Sequence, residues 1–279
     1  MTPEHLRSLM REVARDHLAK NIRNYSYSRY DGLAHTNALG GTSYLRPTEG
    51  KVVTVIEGHT VVKTAASQFT LVSSELLSQP VRIGDKIGLT FYNLRRFDGT
   101  NADGTDDPAA GGVKSYSLTG TQTYFPVKWE GRELGINNRF REAYTEIKNP
   151  YLQDLIRQLE QIPVNGGLRK IVNVLVDANG RNLRFVDPGG SSAEKPAILV
   201  DVETAKHKGL VDISYDRGAD WYCVRLVPAD GTPPQDVEPV YVDQLADVLI
   251  DGIDDGEWRK ATVTMIKAAP KARAQPALI

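Results

Sequence analysis

Residues 50–91 read GKVVTVIEGHTVVKTAASQFTLVSSELLSQPVRIGDKIGLTF, and the period of their apolar residues decides the fold class. Val52-Val53-Thr54-Val55-Ile56 is a β-branched run that stops at Glu57-Gly58, a turn signal. His59-Thr60-Val61-Val62-Lys63 follows it, and Gln68-Phe69-Thr70-Leu71-Val72 is a third short strand. Ser73–Leu77 reads as a helical turn, and Ile83–Phe91 supplies a turn and a fourth strand. Short strands at about ten-residue spacing predict a small β-barrel rather than an open α/β sheet.

Upstream, Thr2-Pro3 opens a helix, because Thr can cap and Pro at the first helical position lacks only an N–H that would be orphaned anyway. Leu6, Leu9, Met10, Val13, Leu18 and Ile22 recur at helical spacing with Arg and Lys between them. Residues 23–44 are polar, aromatic and glycine-rich, and Tyr25, Tyr27 and Tyr30 alternate with polar residues as an extended arm would. Such an arm need not hold the helix against its own domain. The stripe Leu6, Leu9, Met10 and Val13 is therefore expected to dock on a protein partner or a second subunit, with the three tyrosines beside it.

Downstream, Tyr92, Arg95, Arg96 and Phe97 interleave bases with aromatics at the end of the fourth strand. Small barrels present such strands to single-stranded nucleic acid. The competing explanation is an edge strand kept soluble by arginine. Residues 97–112 form a long polar loop, 113–129 resume strand character, and 133–162 read as helical until Pro163 and Gly166-Gly167. Ile171–Val176 and Asn182–Val186, joined through Asn179-Gly180, read as a hairpin. Strands are expected at 197–202, 210–215, 221–227 and 258–267, with a helix marked by Tyr241, Val242, Leu245, Val248 and Leu249.

The predicted fold class is α+β and strand-rich. It comprises an N-terminal helix and arm (1–44), a small β-barrel with helical extension (45–165), a second, acidic α+β domain (168–267) and a basic tail (268–279). Its 279 residues, 41% hydrophobic and 25% charged, are ordinary globular composition. No run approaches the ~18 apolar residues that a membrane span requires. With that composition and one cysteine, Cys223, a cytoplasmic protein without internal disulfides is expected. The net charge of −1 hides an asymmetry: residues 201–257 hold fourteen acids against four bases, whereas 258–279 carry five bases and no acid. A basic tail on an acidic domain suits a polyanion or an acidic neighbour, unless it is simply a solvated end.

No motif for catalysis stands out. Asp98, Asn101, Asp103, Asp106 and Asp107 offer hard oxygen ligands, but an EF-hand register leaves Gly99 first and Ala110 last, so calcium lacks two key ligands. Asp251–Glu257 reads as a turn between helix and strand, since one loop cannot complete an octahedral magnesium site. The five histidines show no zinc spacing, and Cys223 sits in an apolar strand as an inert core thiol. There is no nucleophile elbow, phosphate loop or dinucleotide fingerprint. No catalytic residue, cofactor or metal is expected, and the chain is not expected to be an enzyme.

On Gly50, His59, Val61, Val62, Leu76, Gly84, Ile87 and Leu89, the segment 50–91 resembles the KfrB-type domain of plasmids and other mobile elements. Lys63 departs from the family's usual Gln, and Val72 from its common His. The resemblance implies a small β-barrel accessory module without catalytic residues, and covers only this part of the chain. The expected function is thus a non-catalytic binding or assembly module of a mobile genetic element, whether plasmid, integrative element or phage. Nucleic-acid binding through the barrel is one alternative, and a phage virion structural component another.

Overall fold

A computed structural model describes residues 2–33, 35–36, 42–97, 99, 101, 128–129, 132–133, 147–164, 169–189 and 193–270. The fold is α+β and strand-rich. It divides into two units, Met1–Tyr92 with Arg259–Ile279, and Asn93–Trp258.

The first unit opens with α1 (Pro3–His17), whose N-cap Thr2 accepts from the His5 N–H. The strands β1 (Ser26–Tyr30), β2 (His35–Thr36), β3 (Thr42–Ser43), β4 (Thr48–Ile56), β5 (His59–Ala65), β6 (Gln68–Ser73) and β7 (Lys86–Thr90) follow. Glu57 and Gly58 both take positive φ, as a tight two-residue hairpin between β4 and β5 requires. Beyond the second unit the chain returns as the last strand, Thr262–Lys267, and completes a six-stranded sheet in the order β1-β6-β5-β4-β7-last strand.

That sheet is curled. Flat, its edge strands would stand about 24 Å apart, five spacings of ~4.8 Å. Yet Tyr30 of β1 shares one core with Ala261 and Val263, and its hydroxyl donates to the Arg259 carbonyl at 2.8 Å. Val52, Val62, Val72, Ile87, Leu89 and Phe91 fill the same core. No ladder joins the two edge strands among the described residues, so the expected barrel takes the form of a curled open sheet.

The opposite face is covered by α1. Leu6, Leu9, Met10 and Val13 are buried against Val61, Phe69 and Leu71, with Tyr25 and Tyr27 packed at the margin. Val61 and Val62 point to opposite faces and both are buried, which is why β5 lacks the apolar–polar alternation of a half-exposed strand. Two expectations are corrected here. The stripe of α1 packs on its own sheet, and the tyrosines do not form a free arm: Tyr27 and Tyr30 lie in β1, which runs parallel to β6, Tyr30 is only 2% exposed, and Tyr25, just before β1, packs edge-on against Phe69.

The second unit holds the short strands β8 (Lys128–Trp129) and β9 (Arg132–Glu133), then α2 (Pro150–Gln161) and α3 (Ile171–Asp177). An antiparallel meander follows: β10 (Arg181–Val186), β11 (Ala197–Glu203), β12 (Lys208–Asp216), β13 (Trp221–Pro228) and β14 (Gln235–Val240). Next come α4 (Leu245–Ile253) and, in the first unit, the returning strand, β15. Ile198, Val200, Val211, Ile213, Val224 and Leu226 are buried, and α2 packs by β12 and α4 by β13 and β14. Asn149 caps α2, accepting from the N–H groups of Tyr151 and Leu152.

Three sequence expectations change in this region. Ile171–Asp177 is helical, because a short apolar run buried on all sides has no period that separates strand from helix. β15, expected to end the acidic domain, pairs instead with β7. β14 carries Gln235, Asp236, Glu238 and Pro239, so its edge position left little hydrophobic signal. The boundary expected near residue 165 thus gives way to divisions after Tyr92 and Trp258.

One buried ionic cluster locks the helices of this unit. The Arg169 guanidinium contacts Asp177 at 2.9 Å and Asp254 at 3.0 Å, and it lies 3.8 Å from the Trp258 ring centroid. Trp258 donates to Asp254 at 2.8 Å. The cluster at 251–257 is thereby structural: Asp254 binds Arg169, and Asp255 accepts from the Ala205 N–H. Among the described residues no group of three His, Cys, Asp or Glu side chains is placed to hold a metal ion, and no helix is long and apolar enough to cross a membrane.

Candidate nucleic-acid interface

Four strands of the first sheet place a lysine at the same level. Lys51 on β4 lies directly opposite Lys63 on β5 and directly opposite Lys86 on β7, and Lys86 lies opposite Lys267 on β15. Opposed residues share a face with Cβ atoms about 4.5–5.5 Å apart, and like charges so placed destabilise a sheet. The four lysines line a groove of about 600 Å³ together with Glu49 and Gly50.

Local structure aims these side chains. Register shifts interrupt the ladders between Val52 and Thr54, Lys63 and Ala65, and Met265 and Lys267. Bulges of this kind redirect side chains and bend strands. A Cβ on Gly50 would fall 2.5 Å from the Lys63 carbonyl oxygen, so only glycine allows β4 to approach β5 this closely beside Lys51. Asp85 fixes the end of the row. Its carboxylate accepts from the Ala269 N–H at 2.7 Å and the Arg82 N–H at 2.6 Å, tying the chain after β15 to the turn before β7. Those backbone donors, that of Ala269 first, hold its pKa below the ordinary carboxylate value.

The row is only partly neutralised. Lys86 Nζ stands 3.6 Å from Glu49, and Lys63 Nζ donates to the His17 carbonyl at 2.6 Å. Among the described residues Lys51 and Lys267 form no ion pair, and both are exposed. Lysine on an edge strand has a plain explanation in solubility. That covers Lys267 alone, since β5, β4 and β7 are interior strands. Compact ammonium groups in a row are suited to bind phosphates as point charges, and they carry no base specificity.

The nucleic-acid contacts expected from sequence are not gathered into one strand. β7 stops at Thr90, and Tyr92 belongs to the first unit, where its N–H donates to the Tyr30 hydroxyl at 3.2 Å. Arg95, Arg96 and Phe97 belong to the second unit: Arg95 forms an isolated bridge to Asn101, and Arg96 donates to the Asn101 carbonyl. A Cβ on Gly180 would stand 2.8 Å from the Phe97 ring, so Phe97 packs closely there. Asp98, Asp103, Asp106 and Asp107, and the tail from 271 onward, lie outside the described residues. Cys223 is half-buried, not a core thiol as expected. Burial and its hydrogen bond to Glu238 push its pKa up, away from a reactive thiolate.

No protein-family model, curated protein or solved structure matches the chain.

Proposed function

We propose that this chain is a non-catalytic nucleic-acid-binding module that grips the phosphate backbone through Lys51, Lys63, Lys86 and Lys267. The observation that carries it is the register of four lysines on adjacent strands, three of them interior, an arrangement that costs stability without a polyanion. The segment 50–91, with its resemblance to a mobile-element accessory domain, holds three of these lysines and gives the reading its genomic setting. A cytoplasmic site of action accompanies it. The mutual repulsion of the row falls when phosphates displace water and counterions from the groove, so binding and sheet stability are coupled.

Fluorescence anisotropy with a labelled oligonucleotide of about 20 nucleotides tests this, the probe exceeding the roughly 4–16 that one small fold occupies. With four phosphates neutralised, log K should fall against log salt with a slope of about −2.8 on single strands and about −3.6 on duplex. Each Lys→Gln substitution in the row should reduce that slope by about 0.7 on single strands. Retention that is absent at low salt, or a slope unchanged in the quadruple variant, overturns the assignment.

A further inference from the structure

The second unit contains an aromatic pocket of opposite character. Tyr151 and Asp154 of α2, Tyr215 of β12, Asp220, Tyr222 of β13 and Tyr241 line a cavity of about 330 Å³. Tyr151 stacks on Tyr215 with ring centroids 5.3 Å apart, and Tyr222 lies tilted against Tyr215 at 5.2 Å, so the three rings form one continuous cluster. Tyr241 and its neighbour Val242 are 51% and 40% exposed, and Tyr151 is 39% exposed. These are large apolar side chains gathered at one opening, where a soluble surface would ordinarily scatter them.

The polar groups of the pocket are already oriented. The Tyr215 hydroxyl donates to Asp220 at 2.5 Å, and the Tyr222 hydroxyl donates to Gln158. Hydrogen bonding to the Asp220 carboxylate and burial push the Tyr215 pKa to about 12, so the phenol keeps its proton and its ring stays neutral. The rings therefore offer π-faces, and the Asp220 carboxylate and that of Asp154, which also pairs with Arg157 at 2.8 Å, bring negative charge to a cavity that no lysine or arginine lines. At its rim the Arg217 guanidinium already lies 5.7 Å from the Tyr151 centroid. Ring quadrupoles beside carboxylates favour a cation with an apolar stem.

From this geometry we infer that the pocket takes an arginine side chain of a partner polypeptide, held between the tyrosine faces and Asp154 and Asp220. Charge complementarity selects this occupant, because residues 201–257 carry fourteen acids against four bases. A flat guanidinium on a methylene stem matches a stacked aromatic wall and a carboxylate together. The inference is independent of the lysine row, since a basic peptide and a phosphate backbone require opposite surfaces.

Calorimetric titration of the full chain compares a short peptide with one arginine between glycines against its citrulline counterpart, which keeps the shape and loses the charge. The arginine peptide should bind about tenfold more tightly, equivalent to about 1.4 kcal/mol. Tyr241→Ala and Asp154→Asn should each weaken it by a similar factor while the unliganded melting temperature holds, because both side chains are substantially exposed. Equal binding of the citrulline peptide, binding of a neutral oligosaccharide in its place, or no binding of the arginine peptide would overturn the inference.

Discussion

The two sheets treat charge in opposite ways. Across the second sheet, residues facing one another carry opposite signs: Glu203 opposes Lys208, Asp212 opposes Arg225, and Arg225 opposes Asp236. Ion pairs follow, Lys208–Glu203 at 2.6 Å and Arg225–Asp236 at 3.4 Å, with Arg181 joining Glu203 at 2.8 Å. Across the first sheet, four lysines face one another in succession. Cross-strand pairs of opposite sign are what folding alone favours, and pairs of like sign are what it disfavours. The second sheet's charges are paired within its own structure, whereas the lysine row of the first is paired only in part, which is why the proposed function assigns it a polyanion.

The largest effect expected concerns charge inside the second unit. Arg169→Ala would leave Asp177 and Asp254 buried without their cation, and should cost about 3–5 kcal/mol in urea denaturation. Arg225→Ala on the exposed face should cost under about 1 kcal/mol, because solvent screens the pair it breaks. Similar losses at both sites would dissolve the distinction between buried and surface charge.

Next is the helix over the first sheet. Met10→Ala, at a fully buried position, should destabilise by about 2–5 kcal/mol. Removal of residues 1–17 should expose Val61, Phe69 and Leu71 and promote aggregation rather than merely change oligomeric state. A truncated protein that stays monomeric and folded would restore the docking role first expected of this helix.

Smaller effects separate the two sheets directly. Lys51→Glu should stabilise the ligand-free protein by a few tenths to about 1 kcal/mol, while Arg225→Glu should destabilise it by about as much. Equal signs would count against the contrast. The mildest effect is pH-dependent and lies at Asp85. Its folded pKa is lowered, so its contribution is complete above the unfolded value near pH 4 and fades as pH falls through the folded value. Asp85→Asn should therefore flatten the acid side of the stability profile; an unchanged profile would show that the Ala269 tether does not contribute.

Much of the first sheet was legible because its strands are local. The β-branched run at 52–56, the Glu57-Gly58 turn and the strands at 59–63, 68–72 and 86–90 each announce themselves within ten residues. The lysine row was not legible, because register, not composition, creates it. A hairpin centred on Glu57-Gly58 without a bulge would set Lys51 opposite Thr64, and only the shift between Val52 and Thr54 brings Lys63 there. One residue of slip exchanges the faces of a strand, so no local pattern reports the outcome. Lys267 was further hidden by its distance along the chain, since nothing near β15 signals that it returns to β7. The aromatic pocket was missed for the same reason: Tyr151, Tyr215, Tyr222 and Tyr241 sit on separate elements, and each alone reads as an ordinary amphipathic residue.

The most direct test of the central claim is thermal unfolding of the full chain at low salt, with and without a single-stranded oligonucleotide. Wild type is compared with the double variant Lys51→Gln, Lys86→Gln. Ligand at a hundredfold excess over Kd stabilises the native state by about 2.7 kcal/mol. At roughly 2–4 °C per kcal/mol for a protein of this size, that is a readable shift. Wild type should melt higher with oligonucleotide. The free variant should melt at or above free wild type, and should lose most of the oligonucleotide-induced shift. A variant that melts below wild type and keeps the full shift would contradict the claim that this row is held for binding at a cost to the fold.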